Sequence, residues 1–207
     1  MPKTVDNPML SRREVAQLAG VSLTTLDKAI EQKVIRVHRS RGRTWLGSDD
    51  LGVIVLLDKT ALPLPVKVKR AITQWVRETT PYRASKAAEL AISDALVIRW
   101  SRDLSRTVAA AEDYARLREQ WIEQDPGIKG GEPVIRGTRI GVRAVAQRLD
   151  SGDTLAELTE DYPQIPAKAF AAAYTYAKAH PRRGRPAKPW RDADEALGRR
   201  GPLAVPG

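Results

Sequence analysis

The chain has 207 residues, no cysteine and a formal net charge of +10 at neutral pH. The lack of cysteine excludes disulfides and thiolate metal sites, and it fits a reducing cytoplasm. The longest apolar stretch, residues 51–57, is too short to cross a bilayer. We therefore expect a cytoplasmic protein with no membrane partner, long enough for two small domains.

The positive charge is concentrated at the two ends of the chain. Residues 1–45 have a net charge of +5 and residues 180–207 a net charge of +4, whereas residues 46–124 have +1 and residues 125–180 have zero. This asymmetry predicts one acidic partner for each end, or a single partner held at two places.

The first part of the chain has the pattern of two short helices joined by a tight turn. Ser11, followed three residues later by Glu14, forms a capping box that predicts a helix start. Gly20 predicts the turn that ends this helix, and Ser22 predicts the N-cap of the next one. We expect the polar face of the second helix to contact phosphates and base edges in a major groove of DNA.

A basic hairpin follows the second helix. Residues 34–46 predict two short strands around an arginine-rich tip, and residues 48–51 predict the entry to another helix. This order resembles the MerR-like winged helix-turn-helix, which implies double-stranded operator DNA as a partner; a helix pair that binds protein is the alternative. The candidate DNA contacts in this predicted domain, residues 1–60, are Arg12, Arg13, Ser22, Thr24, Thr25, Lys28, Arg39, Arg41 and Arg43.

The middle segment, residues 61–124, contains fewer clues. Its apolar spacing predicts a helix over residues 66–79 and a long helix over residues 104–124, with a strand over residues 95–100 between them. We expect this segment to link the two ends and to form a homodimer, and we expect its tryptophans to pack in a core.

Residues 130–140, with the sequence GGEPVIRGTRI, are the most constrained stretch of the chain. Glycine, proline, β-formers and a second glycine in this order predict a β-hairpin with a tight turn. The residues expected to shape it are Gly131, Pro133, Arg136, Gly137, Thr138 and Arg139.

Three helices are expected after this motif, which gives the domain at residues 125–180 a second helix-turn-helix outline. The second of these helices begins at a capping box of Thr154 and Glu157, and the third covers residues 167–179. A phosphate-binding surface needs uncompensated cations, which a neutral segment lacks. The pattern therefore favours protein interaction or dimerisation, although the two turn arginines remain either partner contacts or solvated side chains.

The motif and the helices after it resemble a bacterial family catalogued as a domain of unknown function. Members of that family are antitoxins of VapB type, and the resemblance covers residues 125–190. It implies a partner, a PIN-like ribonuclease toxin that uses clustered aspartates and Mg²⁺.

The tail, residues 181–207, is basic and rich in proline, and we expect it to be extended and disordered when free. One interpretation is a DNA minor-groove hook, and another is an inert basic tail. The resemblance implies a third, a toxin-binding segment, because an arginine can pair with the toxin's carboxylates. A tryptophan among arginines is typical of a protein interface. The candidate toxin contacts are Arg182, Arg183, Arg185, Lys188, Trp190 and Arg191.

The sequence has no nucleophile motif, phosphate-binding glycine loop or metal-ligand spacing, so we expect no catalytic residue, cofactor or metal. The expected fold is mainly α, with an N-terminal winged helix-turn-helix and a C-terminal domain of a β-hairpin and three helices. The expected function is that of an antitoxin that neutralises a ribonuclease and represses its own operon. The alternative is a free-standing winged transcriptional regulator with no toxin partner, whose C-terminal domain senses a ligand or dimerises.

Overall fold

The chain is mainly helical, with small antiparallel sheets, in a computed structural model that describes residues 9–40, 42–60, 62–80 and 88–181. The helices in these ranges are α1 (Arg12–Ala19), α2 (Leu23–Glu31), α3 (Ser48–Thr60), α4 (Val66–Thr79), α5 (Arg102–Trp121), α6 (Val142–Asp150), α7 (Leu155–Asp161) and α8 (Ala167–Ala179). The strands are β1 (Leu10–Ser11), β2 (His38–Ser40), β3 (Arg43–Leu46), β4 (Glu89–Ser93), β5 (Leu96–Arg99), β6 (Ile122–Glu123) and β7 (Val134–Ile135). None of the described helices is long and apolar enough to span a bilayer.

The N-terminal helices and the middle segment share one hydrophobic core. β1, β2 and β3 form a three-stranded sheet in which β3 is central, and α1 packs on this sheet and on α3 and α5. Leu26 of α2, Leu51 of α3, Ile72 of α4 and Val108 of α5 are all fully buried in this core. The segment that we expected to be a linker therefore packs against the N-terminal helices, and its role in dimerisation stays a prediction.

Gly52 allows α3 to approach closely Trp100, which follows β5, and helix α5. A Cβ atom at Gly52 would lie 2.7 Å from Cη2 of Trp100 and 3.1 Å from Cγ2 of Val108. The Trp100 ring also meets Trp75 edge-on, with 6.4 Å between the ring centroids. The prediction that Trp100 is a packing residue is confirmed by its burial.

The C-terminal helices form a second core around Phe170. Val142 and Val145 of α6, Leu158 of α7 and Ile135 of β7 surround this ring. The predicted bounds of α8 and the predicted capping box at the start of α7 are both confirmed. α8 packs on α6 and also on α5 and α1, so it joins the two cores.

The long helix α5 is shorter at its C-terminal end than we predicted. It ends at Trp121, because Ile122 and Glu123 pair as strand β6 with Ile135 and Val134 of β7. The predicted end at residue 124 is therefore wrong, and β6 was not predicted, since two residues are too few to show an alternating pattern.

Candidate nucleic-acid interface

Two N-cap residues fix where α1 and α2 begin, and one glycine fixes where α1 ends. The capping box at the start of α1 is confirmed, with Ser11 N donating to Glu14 Oε2 at 2.7 Å. α1 ends at Gly20, whose φ of +70° is in the left-handed region that glycine adopts without strain. Ser22 then caps α2 by accepting a hydrogen bond from Thr25 N at 3.0 Å. The turn between the helices is therefore short and fixed.

α2 presents a polar face to solvent that extends from its N-cap to its last turn. Ser22, Thr24, Thr25 and Lys28 are all exposed, whereas Leu26 is fully buried. The Ser22 and Thr25 hydroxyls lie 2.9 Å apart and hydrogen bond to each other. Thr24 and Lys28 have no hydrogen-bond or ion-pair partner among the described residues, so their polar groups are available to a ligand.

The two arginines at the start of α1 differ in their contacts. Arg12 Nη1 lies 3.0 Å from Asp27 Oδ1, in an ion pair whose side chains are both well exposed. Arg13 has no such partner within the described part of the chain. Its charge is therefore uncompensated, whereas that of Arg12 is partly balanced.

The β2–β3 hairpin carries its arginines on two faces. In its register Arg39 lies opposite Thr44, and Ser40 lies opposite Arg43. Residues directly opposite each other share a face and neighbours along a strand alternate, so Arg39 and Arg43 point to opposite faces. Both are exposed, and Arg41 lies outside the described residues. The two strands of the predicted basic hairpin are confirmed, and their register separates these two arginines.

A buried polar cluster connects α1, β3 and α5 beneath the hairpin. Glu14, which is 1% exposed, accepts hydrogen bonds from Tyr114 Oη at 2.7 Å and from Arg118 Nη1 at 2.8 Å. Arg118 also donates to Met9 O at 2.9 Å, and its guanidinium lies 5.7 Å from the centroid of the Trp45 ring. These contacts fix the hairpin and α1 on the C-terminal half of α5.

The ionisation of this cluster follows from its contacts. Burial opposes the charge on Glu14, but Arg118 and the hydrogen bonds from Tyr114 and Ser11 outweigh it and lower the pKa of Glu14. Burial and the adjacent Glu14 raise the pKa of Tyr114, so its phenol stays protonated and donates. The local sequence around Glu14 predicts only its capping role, because no local pattern reveals a partner on α5.

A second buried carboxylate lies at the start of α3. Asp50 accepts hydrogen bonds from Arg77 Nη2 at 2.6 Å, from Gly47 N at 3.1 Å and from Arg36 N at 3.4 Å. Burial raises the pKa of Asp50 despite the Arg77 charge. Asp50 thus holds the base of the hairpin to α4, a role beyond the helix-start signal predicted for it.

The turn expected within residues 134–141 forms, but the second strand of the predicted β-hairpin does not, because β7 pairs with β6 and only an isolated bridge joins Val134 to Gly141. Gly131 has a φ of +83°, and Pro133 O accepts a hydrogen bond from Val142 N at 3.0 Å. Thr138 N donates to Ile135 O at 3.0 Å across a turn in which Gly137 has a φ of +73°. The predicted turn is confirmed, and its glycines lie where a left-handed backbone is needed.

The two arginines of this turn have different surroundings. Arg136 Nε donates to Gln120 O at 2.9 Å and its Nη2 to Glu119 O at 3.0 Å, which caps the C-terminal end of α5. Arg139 is exposed and has no partner among the described residues. Arg136 therefore joins the motif to α5.

Most cations of the C-terminal helices are neutralised by their neighbours. Arg148 pairs with Asp153 and Asp161, and Lys178 Nζ lies 2.9 Å from Asp150 Oδ1. These contacts give the surface little positive charge for a polyanion. The other ion pairs of this region are Lys129–Glu132 and Arg143–Glu132, each at 3.4 Å.

The tail residues predicted to bind a toxin lie outside the described residues. These are Arg182, Arg183, Arg185, Lys188, Trp190 and Arg191.

Within the described residues, no group of three His, Cys, Asp or Glu side chains could hold a metal ion. The structure thus has a helix pair and a hairpin with exposed cations, attached to a helical domain of balanced charge.

Residues 122–177 of the chain match the family described as "Protein of unknown function (DUF433)".

One curated relative and one solved structure are similar to parts of this chain. "Uncharacterized protein y4eO" of Sinorhizobium fredii (strain NBRC 101917 / NGR234) is 39% identical over 74 residues, which are 36% of this chain and 33% of the relative. The chain thus matches about a third of the length of that relative. The crystal structure of Rv2018 from Mycobacterium tuberculosis aligns with a TM-score of 0.36 and 13% identity, over 80% of this chain and 96% of the other. So low a score carries no inference about fold or function.

Proposed function

We propose that this protein binds double-stranded operator DNA through α2 and the β2–β3 hairpin, in the manner of a winged helix-turn-helix. The observation that carries this proposal is the exposed polar face of α2, where Thr24 and Lys28 have no partner among the described residues. A recognition helix approaches base edges through groups near its N-terminal end, where Thr24 lies, and a cation further along the helix can contact phosphates, as Lys28 in the last turn of α2 would.

The hairpin supports the proposal through its charge. Arg39 and Arg43 are exposed, and neither has an ion-pair partner among the described residues. Since the two side chains point to opposite faces, we expect only one of them to contact the DNA backbone. The buried contacts of Asp50 and Glu14 hold the hairpin in one position, which favours a preformed interface.

We further propose that the DNA-binding protein is an antitoxin. This part rests on the resemblance of residues 125–190 to VapB-type antitoxins, and it assigns a PIN-like ribonuclease as the partner. The balanced charge of the C-terminal helices favours a protein partner over a second DNA site. We also propose that the chain acts as a homodimer, which would place one copy on each of two operator half-sites.

The experiment combines the full-length chain with the product of the neighbouring gene and with duplex DNA from upstream of its own gene. The proposal predicts co-purification of the two proteins, protection of cells from the ribonuclease, and binding of the upstream duplex in preference to a scrambled one. Operator binding without any protein partner would favour the alternative, a free-standing regulator. The absence of both interactions would refute the proposal.

The variants Arg39→Ala and Arg43→Ala test the two faces of the hairpin one at a time. We expect one variant to reduce the salt dependence of DNA binding and the other to leave it unchanged. Unchanged binding in both variants would remove the hairpin from the interface.

A further inference from the structure

A polar cleft of about 1050 Å³, called the hairpin cleft below, lies between the β2–β3 hairpin and the C-terminal domain. Its walls come from the start of α1, from β3, from the end of α5 and from the end of α8. A second cleft of about 800 Å³ adjoins it, and the two share Arg43 and Trp45 of β3 with Arg118 of α5. Arg43 therefore lies where the two clefts meet.

The register of the hairpin explains why Arg43 faces these clefts. His38 lies opposite Trp45, and Ser40 lies opposite Arg43, so all four side chains share one face. The same four residues line the second cleft. Arg39 belongs to the opposite face and lines neither cleft. The hairpin thus turns one arginine toward the rest of the protein and one away from it.

The carboxylates that line the hairpin cleft already have partners. Glu14 is buried and accepts a hydrogen bond from Arg118 Nη1 at 2.8 Å. Glu119 Oε1 lies 3.2 Å from Arg118 Nη2. Glu123 Oε1 accepts a hydrogen bond from Gly137 N at 3.0 Å. The negative charge of the cleft is therefore used within the protein.

The cations of the hairpin cleft differ in this respect. Arg12 pairs with Asp27, and Arg136 donates to backbone carbonyls of α5. Arg13 and Arg43 have neither an ion-pair nor a hydrogen-bond partner within the part of the chain that the structure describes. Guanidinium groups pair with carboxylates and phosphates through charge-assisted hydrogen bonds. Two of them without a counter-charge on one cleft therefore favour a bound anion.

The hairpin cleft also has aromatic walls. Tyr176 stacks on His180 at the end of α8, with 4.2 Å between the ring centroids, and Trp45 borders the cleft from the hairpin. Burial raises the pKa of Tyr176, and the positive charges of Arg118 and Arg43 oppose this rise, so Arg43 lies within electrostatic range of α8. A ligand in the cleft thus meets cationic and aromatic surface together, which is typical of sites for organic molecules.

We propose that the hairpin cleft binds a small organic anion, a carboxylate or a phosphate ester with an apolar body, whose charge pairs with Arg13 and Arg43. The apolar body packs against Trp45 and Tyr176. A volume of about 1050 Å³ is at the upper end of the range typical of small-molecule sites. This site goes beyond the proposed function and does not depend on it, since Arg39 on the opposite face remains available to DNA.

Isothermal titration calorimetry of the full-length chain tests the site with phenyl phosphate and with benzoate, and phenol is the uncharged probe. We expect at least one anion to bind and phenol not to bind, and the anion that binds identifies the headgroup. Arg43→Ala should weaken anion binding about tenfold or more, because it removes a charge-assisted hydrogen bond. Arg39→Ala removes the same charge from the opposite face of the hairpin, so this matched control should leave anion affinity unchanged.

A second variant makes the test independent of the hairpin. Arg13→Ala removes the other guanidinium, which belongs to α1, and should weaken anion binding to a similar extent. Thermal unfolding verifies that each variant folds. Failure of both anions to bind at millimolar concentration would overturn the inference. An equal loss in Arg43→Ala and Arg39→Ala would also overturn it, because it would show only general attraction to a basic surface.

Nuclear magnetic resonance then locates the anion that binds. We expect it to shift the backbone amide resonances of Gly42 and Glu123 and the indole N–H resonance of Trp45, all of which border the cleft. The amides of β4 and β5 lie outside the cleft and should not shift. Shifts confined to α2, or scattered over the whole chain, would overturn the inference.

The outcomes separate this inference from the proposed function. If Arg39→Ala reduces the salt dependence of DNA binding while neither anion binds, only the inference fails. If Arg39→Ala and Lys28→Ala leave DNA binding unchanged while Arg43→Ala weakens anion binding, only the proposed function fails. A salt slope that falls in Arg43→Ala but not in Arg39→Ala would assign Arg43 to the DNA and overturn the inference.

Discussion

Arg118 and Glu14 form a buried ion pair, with 2.8 Å between Nη1 and Oε2, although 104 residues separate them in sequence. Side-chain exposure is 11% for Arg118 and 1% for Glu14, so neither charge can be solvated well if its partner is removed. The same carboxylate caps α1, and therefore a single residue sets both the start of this helix and its position on α5.

Glu14→Gln should lower the free energy of unfolding by about 3–5 kcal/mol, because it removes the buried counter-charge of Arg118 and leaves only the exposed carboxylate of Glu119 beside it. Urea unfolding of the full-length chain measures this change. Glu31→Gln, on the exposed surface of α2, is the control and should stay within about 0.5 kcal/mol of wild type. A loss no larger than that of the control would show that the pair does not hold α1 on α5.

Asp50→Asn should lower the free energy of unfolding by about 1 kcal/mol, which is less than the loss expected for Glu14→Gln. Burial raises the pKa of Asp50, so its charge is less favourable in the folded state, and an asparagine oxygen can still accept from one of the two amides, Gly47 N or Arg36 N, which meet different carboxylate oxygens. Arg77 is 23% exposed and can turn toward water. The same urea measurement compares the two variants, and an equal or larger loss for Asp50→Asn would contradict this interpretation.

The stability that Glu14 contributes should depend on pH. The pKa of Glu14 lies below its ordinary value of 4.5 in the folded protein, so its contribution is complete above that value and is lost as pH falls through the lowered pKa. The difference in unfolding free energy between wild type and Glu14→Gln should therefore shrink on acidification. A difference that stays constant down to pH values well below 4.5 would exclude this linkage.

Arg136→Ala should destabilise the chain by about 1 kcal/mol, because it removes the hydrogen bonds to the Glu119 and Gln120 carbonyls at the end of α5. Arg139→Ala is the matched control in the same turn, and it should have no effect on the unfolding free energy. Equal effects of the two substitutions would show that the contacts of Arg136 contribute nothing.

Gly52→Ala should destabilise the chain by about 1–3 kcal/mol, because the new methyl group would overlap the Trp100 ring. In a helix without this contact, replacing glycine with alanine stabilises by up to about 1 kcal/mol, so the sign of the change is diagnostic. Gly127→Ala, at an exposed position, is the control for thermal unfolding. A rise in melting temperature for Gly52→Ala would contradict the close packing of α3.

Local patterns predicted much of the fold. The capping boxes at Ser11 and Thr154, the Gly20 turn and the helix over residues 167–179 are all confirmed, because each depends on neighbours within a few residues. The register that separates Arg39 from Arg43 depends on the pairing of two strands and was not visible in the spacing.

Contacts between distant segments could not be predicted in the same way. Nothing near Glu14 in the sequence indicates Tyr114 or Arg118, and nothing near Arg136 indicates the carbonyls of α5. These contacts arise when α1, α5 and β7 pack, and a single sequence contains no signal for such pairs. The position of Pro181 beside α2 has the same origin.

The most direct test of the central claim is the salt dependence of binding to the upstream duplex, compared between wild type and Lys28→Ala. If α2 contacts DNA, Lys28→Ala should reduce the slope of log K against log salt by about 0.9, whereas Lys59→Ala, on the exposed side of α3, should leave it unchanged. Equal slopes for wild type and Lys28→Ala, together with no preference for the upstream duplex over a scrambled one, would contradict DNA recognition by α2.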